Sequence, residues 1–103
     1  MKKTLYSVLS VLAFSFVLAG TASAGAVFDK NCASCHAGGG NIMNPDKTLS
    51  MDSLKKNGVD NVGAIKKLVT DGKAPMPGFG SSLDAKQIDA VSKFVFDQAK
   101  KGW

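Results

Sequence analysis

Cys32-Ala33-Ser34-Cys35-His36 contains both cysteines and the single histidine of this 103-residue chain. Its spacing suits three chemistries. A redox-active pair of the thioredoxin kind needs a strand-to-helix junction inside a βαβ unit, and nothing upstream reads as a strand. A structural zinc site needs four ligands, whereas the chain offers two Cys and one His. A simple disulfide in so tight a loop would remove little chain entropy. The histidine directly after the second cysteine selects covalent attachment of a c-type haem. The Cys32 and Cys35 thiols would add to the haem vinyls, and His36 would reach the iron from the proximal face.

Upstream lies what reads as an address. Lys2 and Lys3 precede an apolar stretch from Leu5 to Leu18, and Ala22-Ser23-Ala24 supplies small residues where a signal peptidase reads. A charged start, an apolar middle and an A-x-A end describe a secretory signal. The stretch is shorter than the roughly 20 residues a membrane span needs. We expect residues 1–24 to be a cleaved signal peptide, with cleavage after Ala22 as the other option. Export agrees with c-type haem attachment, which bacteria carry out outside the cytoplasm.

Removing 24 of 103 residues leaves 79, one small domain over 25–103. Chains of that size bury a modest core and often depend on a metal, disulfides or a cofactor. Every basic residue is Lys and every acidic one Asp. Lys2 and Lys3 account for two of the 13 basic residues, so the mature part carries 11 Lys against 8 Asp, a net +3. Two haem propionates would bring that near neutrality. The lysines are scattered and not interleaved with aromatics, so nucleic acid is not an expected partner.

Downstream, Gly38-Gly39-Gly40 forms a loop, and helix signals fall into four groups. Ala26 to Cys35 makes a first helix with Val27 and Phe28 as apolar contacts. Ser50 caps a second through Lys56, stopped at Asn57-Gly58. Asp60 or Asn61 opens a third, with Val62, Ile65, Leu68 and Val69 on one face and Gly72 as its stop. Asp84 and Gln87 are spaced as a capping box. Behind them Ile88, Val91, Phe94, Val95 and Gln98 recur at helical spacing. No segment alternates long enough to be a strand. The expected class is all-α, about four short helices wrapped around one covalently bound haem that serves as their core.

A soft, neutral sixth ligand opposite His gives such an iron a positive potential. Met43 lies seven residues past His36, too soon for the chain to pass round the haem edge. Met51 stands at a helix start, where Met usually fills gaps. Met76 stands between Pro75 and Pro77, which block helix formation and stiffen the loop. His36 and Met76 are therefore the expected axial iron ligands.

These residues, with Gly38-Gly39, Asn44-Pro45-Asp46-Lys47-Thr48-Leu49, Asp71-Gly72-Lys73 and Met76-Pro77, resemble the cytochrome c6 family across the whole mature chain. The resemblance implies a class I cytochrome c fold whose first and last helices cross, with Phe28 and Phe94 in contact there. It implies haem c on Cys32 and Cys35, His36 and Met76 as ligands, and a soluble, monomeric one-electron carrier that is not an enzyme. The transient partners it implies are the cytochrome b6f complex and photosystem I or a terminal oxidase, in the thylakoid lumen or the bacterial periplasm. Three features depart from the family. Leu68 replaces a haem-side Gln, and Ser82 replaces an Arg used near photosystem I. With cleavage after Ala24, the first helix also begins abruptly. These weaken the photosystem I assignment more than electron transfer, and leave a specialised periplasmic carrier as an alternative. A haem enzyme or gas sensor with an open iron is the rival class; it would need a distal donor, and the chain has no second His.

Overall fold

Ser50, Asn61 and Asp84 each end an extended segment and start a helix in the computed structural model, which describes residues 24–103. Each side chain accepts the backbone N–H three residues on, at 3.2, 2.8 and 2.8 Å respectively. Such caps satisfy donors that have no partner inside the helix. Residues 24–31 form α1, followed by α2 (Ala33–His36), a 3₁₀ turn (Ala37–Gly39), α3 (Met51–Lys56), α4 (Val62–Asp71) and α5 (Ala85–Lys101). Among the described residues there is no strand, only an isolated bridge between Lys73 and Met76. No helix among them is long and apolar enough to cross a membrane. Apart from Ala24, the expected signal peptide lies outside the described residues.

The sequence predicts one helix over Ala26–Cys35; the chain instead breaks at Cys32, between α1 and α2. The N–H of Cys32 still donates to Phe28 O at 2.8 Å, and its carbonyl accepts from His36 N at 2.9 Å. Helical hydrogen bonding thus passes through the kink. The third helix takes Asn61, not Asp60, as its cap. The Asp84–Gln87 box is complete, with Asp84 N donating to Gln87 Oε1 at 3.0 Å. α5 ends in a Schellman motif: Gly102 is left-handed (φ 90°), and the N–H of Trp103 donates to Gln98 O at 2.9 Å.

Ile88, Val91, Val95 and Ala99 form the buried stripe of α5 and meet Ile65 and Val69 of α4, Leu54 of α3 and Phe28 of α1. Phe28 and Phe94 touch where the first and last helices cross, with ring centroids 5.4 Å apart. Trp103 completes this cluster at 5.4 Å from Phe28 and 6.3 Å from Phe94. Aromatic pairs of this kind contribute about 0.5–1.5 kcal/mol beyond the area they bury. A Lys66–Asp89 ion pair (3.4 Å) also links α4 to α5, but both groups are well exposed and solvent screens it.

Candidate functional site

Leu54 of α3, Ile65, Leu68 and Val69 of α4, Phe28 of α1 and Val95 of α5 turn one shared face towards a cavity of about 280 Å³. Cys32, Cys35 and His36 stand on its lining, and so does Met76, from a loop forty residues later in the chain. The helices meet around this space instead of filling it, as a chain whose core is a prosthetic group requires.

On the His36 side, ring and backbone fix one another. Nδ1 lies 2.7 Å from the carbonyl oxygen of Gly40. A carbonyl can only accept, so Nδ1 carries the hydrogen and the Nε2 lone pair is left for a metal. A second hydrogen bond of this kind orients a ligating imidazole and raises its basicity. Burial pushes the Cys32 thiol up from its ordinary pKa. A disulfide-exchange thiol needs the opposite shift, and the two cysteines are not bonded to each other.

Met76 is held by a closed loop. Its N–H donates to Lys73 O at 2.8 Å, and Lys73 N donates back to Met76 O at 3.0 Å. Gly72 (φ 74°) lets the two ends of the loop touch: a Cβ there would stand 2.5 Å from Gly78 N. Phe79 N and Gly80 N then anchor the exit to Val69 O (2.8 Å) and Thr70 O (3.1 Å). The loop is thereby tied to the end of α4, the helix that carries Leu68.

Met51 packs against the hydrophobic core and does not line the cavity. Met43 is placed less simply than the spacing argument predicts. It does reach the cavity rim, yet it is 65% exposed beside Ile42, itself 70% exposed. Asn41 accounts for that placement. Its Oδ1 accepts from Met43 N (3.1 Å) and Asn44 N (2.9 Å), and its Nδ2 donates to Lys47 O (2.8 Å). Asn41 and Trp103 carry only weak signals in the sequence. An Asn opening a loop before Asn-Pro-Asp is a turn signal. A Gly followed by a large apolar residue at a helix end is a Schellman signal.

The lining suits haem c. It has a broad apolar wall, two thiols one helical turn apart, a nitrogen and a thioether donor from separate segments, and a polar edge from Asn41 to Asn57. Lys47 and Lys73 also line it, and neither joins an ion pair among the described residues. An apolar macrocycle with two carboxylates matches that division.

A profile of the family described as cytochrome c oxidase, cbb3-type, subunit III matches residues 19–95. Cytochrome c6 of Rippkaea orientalis is 46% identical over all of this chain and 99% of its own length. Cytochrome c6 of the diatom Phaeodactylum tricornutum superposes with a TM-score of 0.78 at 38% identity, covering 81% of this chain and 98% of that one. Cytochrome c6C of a Synechococcus species gives 0.77 at 40% identity, covering 79% and 99%.

Proposed function

The chain belongs to the cytochrome c6 family of class I c-type cytochromes, and from that membership we propose that Cys32 and Cys35 carry its haem c as thioethers while His36 and Met76 close the two axial positions. The protein has one covalently bound haem c and is a soluble one-electron carrier of photosynthetic electron transport, not an enzyme. It works with membrane redox complexes. The single observation supporting the residue assignment is the cavity itself, on whose lining these four side chains meet.

Bound haem supplies the Fe(II)/Fe(III) couple. The protein's own residues hold that couple in place and tune it. His36, fixed through Nδ1 by the Gly40 carbonyl, presents Nε2. The loop closed at Gly72 and Gly78 would hold Met76 as the second iron ligand, and a neutral thioether favours the ferrous form. Apolar walls from four helices keep water off, so little solvent reorganises when the charge changes.

We assign cytochrome b6f as the donor and photosystem I or a terminal oxidase as the acceptor. The mature protein acts as a monomer in the thylakoid lumen or periplasm after loss of residues 1–24. Lys47 and Lys73 at the cavity rim suit an acidic acceptor surface. The test is oxidation by photosystem I and by a terminal oxidase over a range of salt. The physiological acceptor should react faster, and its rate should fall as salt rises. Rates that are equal and independent of salt would refute the assignment.

Leu68 lines the cavity on α4, half-buried, eight residues before Met76. Relative to a Gln there, it lowers local polarity, which raises the potential. It also removes an amide donor that favours the electron-rich reduced haem, which lowers it. A net hydrogen bond contributes about 0.5–1.5 kcal/mol, roughly 20–65 mV at about 59 mV per tenfold. The polarity change is smaller, because the neighbouring wall is already apolar. Leu68→Gln should therefore raise the midpoint potential by that order in a redox titration. An unchanged or lower potential would overturn this ranking. A potential below that of Gln-bearing relatives suits a specialised carrier more than a main lumenal shuttle.

A further inference from the structure

The Gly40 carbonyl that orients His36 sits in a run of three glycines, where no side chain restrains the backbone. Something else must hold it still. Trp103 packs against the residue before it, Gly39. Its indole is pressed so closely on Gly39 (φ 80°) that a Cβ at that position would overlap the ring. Its Nε1 donates to Leu49 O at 2.7 Å, and Leu49 N donates in turn to Gly39 O at 2.7 Å. Phe28 and Phe94 brace the indole at 5.4 and 6.3 Å, and the Schellman ending of α5 fixes its backbone. The Gly39–Gly40 peptide is thus clamped beneath the indole, its carbonyl accepting from Leu49 N and its N–H donating to Ala37 O, and the next carbonyl along the chain, that of Gly40, faces the imidazole of His36.

From this geometry we propose that Trp103 is a positioning residue for the iron's proximal ligand, acting through the Gly39–Gly40 peptide. The inference rests on His36 being that ligand. A firm Nδ1–H···O=C bond makes the imidazole a stronger donor and favours ferric iron. Loosening the clamp weakens the bond and favours ferrous iron. Trp103 therefore tunes the potential from outside the cavity, on whose lining it does not appear.

The test compares holoprotein carrying Trp103→Leu, Trp103→Phe and, as a control, Ile88→Ala, a buried α5 residue away from the cavity. Trp103→Leu keeps apolar mass but loses the flat ring over Gly39. Its ferric preference should fall roughly threefold, a rise of about 30 mV at about 59 mV per tenfold. Solvent exchange of the His36 Nδ1 proton, followed by NMR, should quicken. Trp103→Phe restores a ring and loses only the indole hydrogen bond, so it should recover most of both changes. Ile88→Ala should lower the melting temperature and leave potential and exchange where they are. Unchanged potential and exchange in Trp103→Leu would overturn the proposal, as would equal shifts in the Ile88 control. Failure of the underlying ligand assignment looks different: the unsubstituted protein would then lack the haem-shifted His36 resonances altogether.

Discussion

Met76→Ala is expected to abolish the weak red absorption band that marks a thioether on ferric iron, and to open the distal position to water and added ligands. No second histidine is available to replace the sulfur, and neither Met43 nor Met51 is held at the cavity as Met76 is. His36 is the only histidine of the chain, Met51 packs against the core away from the cavity, and Met43 is largely in solvent. The loop around residue 76 should persist, because it is closed by backbone bonds between positions 73 and 76 and by the contact of Gly72 with Gly78. Losing the neutral, soft ligand should lower the potential by well over the ~59 mV of one tenfold step. Met43→Ala and Met51→Ala should retain the band. Because Met43 does line the cavity rim, its variant is the informative control. Loss of the band in Met43→Ala would mean that the chain threads round the haem differently.

The second large effect is on folding. Intact protein from a haem-attaching host should weigh one haem more than its polypeptide and keep that haem through acid-acetone extraction. Cys35→Ser should leave at best a singly attached, unstable product. Protein without haem should be largely unfolded, since Leu54, Ile65, Val69 and Phe28 face the cavity and would otherwise line open space. A domain of this size has too little apolar surface elsewhere to offset its chain entropy. Circular dichroism of the haem-free chain decides this. Native helical content with a cooperative melt would remove the haem from its place as the core.

The features legible in the sequence were those with local causes. The cap residues Ser50, Asn61 and Asp84 and the stops at Asn57 and Gly72 act within one helical turn, so their spacing set the helix boundaries closely. The haem motif is five adjacent residues, and Pro75 and Pro77 mark Met76 by their own stiffness. The contact of Phe28 with Phe94 came from family resemblance and is present at 5.4 Å. What stayed hidden depends on distant partners. The break at Cys32 has no Gly or Pro to announce it. Met43 reaches the cavity rim because Asn41 folds the loop back through three hydrogen bonds. Trp103 bonds to a carbonyl 54 residues away, a pairing that no local periodicity encodes.

An iron closed on both faces, as proposed for His36 and Met76, makes the protein a carrier and not a sensor or an enzyme. Carbon monoxide added to the reduced protein near neutral pH tests this closure most directly. The absorption spectrum should stay unchanged in the unsubstituted protein and shift to that of a carbonyl complex in Met76→Ala. Ready binding of carbon monoxide by the unsubstituted protein would contradict the claim.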